Sequence, residues 1–121
     1  EKHGVIAWSP CGRFLVLGSD NNTLQIYSFD LTTYQGKEVV TLQGHTKYIT
    51  SVSWSPCGVF LVSGSYDQTA RIWSFDSDTR QGKEIAKFEG RHDVESVVWS
   101  PCGQYMALGS FDKNIRVCMG S

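Results

Sequence analysis

The sequence predicts an all-β architecture: repeated units of four short antiparallel strands, three units in a row with the last one incomplete. Three observations predict it. The pentapeptide Trp-Ser-Pro-Cys-Gly recurs at Trp8–Gly12, Trp54–Gly58 and Trp99–Gly103, at intervals of 46 and 45 residues. A fixed period in that range marks stacked supersecondary units. Between the copies lie short runs rich in β-branched and aromatic residues, and turn chemistry separates the runs.

The middle unit shows the elements most clearly. Its predicted strands fall at Tyr48–Trp54, Phe60–Gly64, Ala70–Trp73 and Glu84–Phe88. Ser-Pro-Cys-Gly suits the first tight turn, because proline presets φ at its second position and glycine tolerates a positive φ at its fourth. Ser65–Thr69 forms the second turn, with the Asp67 carboxylate able to accept from nearby backbone amides. A longer loop is expected at Phe75–Gly82 before the fourth strand. Four strands in about 45 residues make an up-and-down sheet.

The other units are read by alignment. Shifting Trp8–Gly44 by 46 positions onto Trp54–Gly90 gives 21 identities in 37 positions, too many for chance. They include Phe14-Leu15-Val16 with Phe60-Leu61-Val62, Ser28-Phe29-Asp30 with Ser74-Phe75-Asp76, and Gln35–Glu38 with Gln81–Glu84. The third copy keeps Gly109-Ser110, Asp112 and Arg116. Boundaries follow at 1–44, 45–89 and 90–121, all within one domain or a segment of one.

Composition narrows the function. Eleven basic against twelve acidic residues leave a formal net charge of −1, which provides no electrostatic reason to expect nucleic acid or an anionic membrane. No apolar run approaches the roughly 20 residues needed to span a bilayer, and no signal peptide opens the chain. Both ends look cut, because strand patterns run almost to each terminus. Cys11, Cys57 and Cys102 hold one position in three successive units, too far apart to bridge, and Cys118 stands alone. No C-x-x-C pair or His/Cys cluster has metal spacing. Four reduced thiols and an intracellular location, cytoplasmic or nuclear, are therefore expected.

The second unit contains Gly44-His45, the run Ile49–Gly58, then Ser63-Gly64-Ser65-Tyr66-Asp67 and Arg71-Ile72-Trp73-Ser74. With these residues it resembles the WD-repeat family, and nearly the whole chain shares the likeness. The resemblance implies β-propeller blades, and a buried hydrogen-bonded chain of His45, Ser63, Asp67 and Trp73 inside the second blade. Those groups can satisfy one another chemically, and such a network specifies one packing arrangement.

The sequence also departs from the family. Trp-Asp is Trp73-Ser74 here, Tyr27-Ser28 in the first blade and Cys118-Met119 in the third. Cysteine replaces the aspartate of Ser-Pro-Asp-Gly all three times. The first blade has Leu17, Asn21 and Tyr27 at network positions, and the third has Leu108 and Cys118. A residue missing before the third blade puts Arg91 opposite His45 and leaves His92 out of register.

Ser63, His45 and Asp67 are the residue types of a nucleophilic triad, but a triad serine must be exposed and this one lies in a strand. Asp76 and Asp78 read as solvated loop charge, and the Gln-Gly-Lys-Glu copies lack the spacing of a phosphate loop. No catalytic residue, metal or cofactor is expected. The resemblance places Tyr66 and Phe111 on the upper rim of a propeller, beside Tyr48, Lys47, His92 and Asp93. Aromatic side chains there are costly to leave in water and suit an interface centre. The long Leu31–Gln35 and Ser77–Gln81 loops, with Tyr34 and Arg80, offer a second surface.

The expectation is a scaffold or adaptor for protein partners within an intracellular complex. Three blades do not close a ring, which takes about four to eight. Partners then include the remaining blades of a longer propeller or further copies of the chain. Self-assembly into a ring, as a propeller fragment or an engineered repeat, is the first alternative. Direct RNA binding, with its strong salt dependence, is the second.

Overall fold

The structure is a computed structural model and describes residues 4–19, 21–30, 32–110 and 115–119. Among these, eleven strands form three antiparallel sheets. The first sheet holds β1 (Val5–Trp8), β2 (Phe14–Gly18), β3 (Leu24–Asp30) and β4 (Gln35–Leu42). The second holds β5 (Ile49–Trp54), β6 (Phe60–Ser65), β7 (Thr69–Asp76) and β8 (Gln81–Glu89). The third holds β9 (Val94–Trp99), β10 (Tyr105–Ser110) and β11 (Ile115–Met119). Strand order follows chain order in every sheet, as in propeller blades.

The turns form as their residues dictate. Gly12, Gly58 and Gly103 take φ of 76°, 78° and 78°, and each donates its N–H to the serine carbonyl three residues back at 2.9 Å. The predicted Phe75–Gly82 loop is much shorter in the structure. β7 runs to Asp76 and β8 starts at Gln81, so only residues 77–80 turn the chain. The Asp76 carboxylate accepts the Asp78 and Thr79 amides, its carbonyl accepts the Arg80 N–H, and Arg80 takes φ 60°. Asp30 accepts the Thr32 amide in the same way, and Tyr34 has φ 59°. An aspartate that caps its own turn lets the ladder continue to the last residue. The Leu31–Gln35 and Ser77–Gln81 loops are corrected likewise, since Gln35 and Gln81 are strand residues.

A bulge repeats in the outer strand pair. Ile26 faces Val40 while Tyr27 faces Glu38, and Ile72 faces Ala86 while Trp73 faces Glu84. Val39 and Ile85 are thus the extra residues, and β4 and β8 bend around them.

The blades pack face to face through two apolar clusters. The first joins Phe14, Val16, Leu24 and Ile26 to Ile49, Trp54, Leu61, Trp73 and Phe75. Phe75 sets its ring edge-on to Phe14 at 5.1 Å and to Trp54 at 5.9 Å. The Trp54 indole donates to the Ala7 carbonyl at 3.0 Å, across the joint. The second cluster joins Val62, Ala70 and Ile72 to Val94, Val97, Trp99, Met106 and Leu108. Here the equivalent indole, Trp99, is buried with no hydrogen-bond partner among the described residues. Hydroxyls hold this joint instead: Ser51 Oγ accepts the Val97 N–H at 3.1 Å and Thr50 Oγ1 donates to the Val94 carbonyl.

Large apolar side chains stay exposed on the two flanks. Ile6 is 64% and Trp8 55% exposed on the first blade, and Val98 is 54% and Tyr105 44% exposed on the third.

Candidate functional site

The second blade builds the expected network. His45 lies just before β5, Ser63 mid-way along β6, Asp67 in the β6–β7 turn and Trp73 on β7. The Trp73 indole N–H donates to Ser63 Oγ at 2.9 Å, and Ser63 Oγ meets His45 Nε2 at 2.7 Å. His45 Nδ1 meets an Asp67 carboxylate oxygen at 2.8 Å. Donor counting assigns the protons. The Asp67 carboxylate can only accept, so Nδ1 carries the proton of the neutral imidazole, and Nε2 then accepts the Ser63 hydroxyl hydrogen while Trp73 donates to the same oxygen.

Asp67 collects more than the histidine. It accepts the Thr46 amide at 3.0 Å, the Thr69 amide at 2.9 Å and the Thr69 hydroxyl. Arg71 Nη2 stands 3.9 Å away, and its Nη1 pairs with Glu84 at 2.8 Å. Thr69, Thr46, Arg71 and Glu84 were not anticipated from sequence. A signal existed for Thr69, because Asn21 and Thr23 stand two residues apart in the first blade just as Asp67 and Thr69 do. There Asn21 Oδ1 accepts the Thr23 amide at 3.2 Å and its hydroxyl at 2.7 Å. With Leu17 in the serine position, Tyr27 turns its hydroxyl to Gln25 at 3.3 Å instead.

Burial sets the charges. Desolvation, the largest effect, pulls the His45 imidazolium pKa below its usual value despite the Asp67 carboxylate beside it. Desolvation would raise Asp67, but the Thr69, His45 and Thr46 hydrogen bonds outweigh it and hold the carboxyl below its usual range. The pair is a neutral histidine donating to a carboxylate, not an ion pair. Ser63 is fully buried, so no substrate carbonyl reaches its Oγ and the triad chemistry has no access.

A pH dependence follows from these directions. The unfolded chain protonates His45 near pH 6.5 while the fold keeps it neutral, so below that pH the unfolded state binds more protons. Stability is full above about pH 6.5 and declines as pH falls further. Asp67 adds a second loss below about pH 4, where the unfolded carboxyl protonates first. Urea midpoints between pH 8 and 5 should fall on acidification. A flat profile would mean that His45 carries its proton inside the fold.

Tyr48, Tyr66 and the Lys47 backbone come together at one end of the second blade. The Tyr48 and Tyr66 rings lie 4.3 Å apart at a 53° tilt. Ser65 Oγ lies 2.9 Å from the Lys47 carbonyl and 3.0 Å from that of Tyr48, and the Tyr66 N–H donates to the Tyr48 carbonyl. A hydrogen bond with Tyr66, then burial and the nearby Tyr66 and Asp93, raise the Tyr48 phenol pKa. His92 lies in the bend before β9 and is exposed, as is Lys47. Phe111 lies outside the described residues. Tyr34, 83% exposed, projects at the opposite end of the strands.

The sequence model of the family described as WD domain, G-beta repeat matches residues 4–28, 36–74 and 82–118, more than four-fifths of the chain. The chain belongs to the WD-repeat family, and its sheets are that family's blades. Such repeats generally mediate protein–protein interactions. No curated protein matched the chain.

Proposed function

We propose that the chain is a scaffold that holds a protein partner within an intracellular complex, through the rim where Tyr48 and Tyr66 meet. The tilted tyrosine pair carries the proposal. Two rigid amphipathic rings, with Lys47 next to Tyr48 in the chain and Asp93 near its phenol, have the make-up of an interface centre beside polar groups. Protein is favoured over RNA by the formal net charge of −1. An intracellular setting is favoured by Cys11, Cys57 and Cys102, all exposed and unbridged. A second role, ring closure with further copies, is favoured by the apolar flanks at Ile6, Trp8, Val98 and Tyr105.

Light scattering on the purified chain decides the second role: a discrete dimer or trimer supports it, and a monomer removes it. For the first, a photo-crosslinking residue at Lys47 should capture a partner that one at Tyr34 does not. With that partner purified, Tyr48→Ala should raise Kd roughly 30-fold, the ~2 kcal/mol of a central aromatic. Capture at Tyr34 alone, or equal capture at both positions, would remove the rim as the binding site.

A further inference from the structure

The other end of the blades carries chemistry that the scaffold role leaves unused. In each Ser-Pro-Cys-Gly turn the serine oxygen accepts the N–H of the residue five positions on, Phe14 to Ser9, Phe60 to Ser55 and Tyr105 to Ser100, each at 3.1 Å. An oxygen occupied in this way still has its hydroxyl hydrogen to give. The atom within reach is the cysteine sulfur: Ser9 to Cys11 at 3.4 Å, Ser55 to Cys57 at 3.2 Å and Ser100 to Cys102 at 3.3 Å. Either atom of each pair can donate; once the sulfur is ionised it can only accept the serine hydrogen, a contact that stabilises the thiolate.

The electrostatics agree with that geometry. The Ser9 hydroxyl and the Arg13 amide hold Cys11 below the ordinary thiol range, as the Ser100 hydroxyl and Gln104 amide do Cys102. At Cys57 burial pushes upward, but the Ser55 hydroxyl and the Val59 and Phe60 amides outweigh it. Cys11 and Cys57 also line one groove of about 910 Å³, between their two turns and the β7–β8 hairpin. Its charged lining is Arg13, Asp76 and Lys83, and Phe14, Val59 and Phe75 form its apolar wall. Cys102 sits in the same kind of turn but is not part of this lining.

We propose that Cys11 and Cys57 form a thiol-exchange site that takes a low-molecular-weight disulfide in the groove between the first two blades. The cysteine thiolate, its proton already lost to water, attacks one sulfur of the bound disulfide. A new S–S bond joins that half to the protein, and the old S–S bond breaks. The other half leaves as a thiolate and takes a proton from water. The cysteine is oxidised, and the departing half of the disulfide is reduced. The small disulfide is the oxidant, and a groove of about 910 Å³ has room for a molecule of that size.

The test uses the full chain with oxidised glutathione at pH 7, followed by intact mass and peptide mapping over time. Cys11 and Cys57 should be modified several-fold faster in the folded chain than in urea, the reverse of what simple exposure predicts. Both should also outpace Cys102, which shares the turn and lacks the groove. Ser9→Ala should slow Cys11 and leave Cys57 unchanged, while Ser9→Thr, which keeps a hydroxyl, should retain the wild-type rate. If Ser9→Ala fails to fold, the comparison of folded and unfolded wild type still decides. Equal or slower reaction in the folded chain overturns the proposal. Cys102 reacting as fast as the other two would show that the groove plays no part.

Discussion

Ser63→Ala is expected to destabilise the chain by roughly 2–4 kcal/mol, far more than its volume suggests. One oxygen accepts from the Trp73 indole at 2.9 Å and supplies His45 Nε2 at 2.7 Å. Removing it leaves a buried donor and a buried acceptor without partners, each costing about 1–3 kcal/mol. The first blade shows that an apolar residue is tolerated there when its neighbours change as well, since it has Leu17 with Tyr27 in place of Ser63 with Trp73. The loss should therefore be non-additive. In Trp73→Phe the indole N–H is gone, so adding Ser63→Ala should cost less than it does alone. Urea denaturation of the four proteins in the cycle measures this. A single-variant loss under about 0.5 kcal/mol, or strict additivity, would show that the network contributes packing only.

Gly64→Ala should cost about 1–3 kcal/mol and act on the joint between the second and third blades. A β-carbon on Gly64 would stand 2.5 Å from Val94 Cγ1 and 3.2 Å from Val97 Cγ1. Both are inner-strand residues of the next blade, and a packed core yields to such an intrusion only by moving side chains or backbone. Gly18 meets Ile49 in the same way, with Cγ2 2.6 Å from the added carbon. Val94→Ala alone should also destabilise, by opening a cavity. Combined with Gly64→Ala it should recover part of the loss, because the new methyl occupies space that the valine vacates. Thermal unfolding of both singles and the double variant tests this. No recovery in the double would mean that the two blades do not meet at this pair.

Some of the molecule was legible in its residues alone. The 45- and 46-residue period, strand-forming runs and Gly-containing turns are local signals. They placed the strands to within a few residues and gave Gly12, Gly58 and Gly103 their positive φ. His45, Ser63, Asp67 and Trp73 were legible through the family resemblance, and their atoms do meet. Other features depend on residues far apart in the chain. The bulges at Val39 and Ile85 arise where neighbouring strands fit together, and a simple alternation of residues does not encode them. The close approaches at Gly18 and Gly64 depend on how one blade docks on the next. Local pattern determined what each strand and turn would be, because those choices rest on a few neighbouring backbone angles. Only the tertiary structure decided which rings meet, which thiols share a groove and which side chains the glycines admit, because those relations join positions about 20 to 50 residues apart through packing.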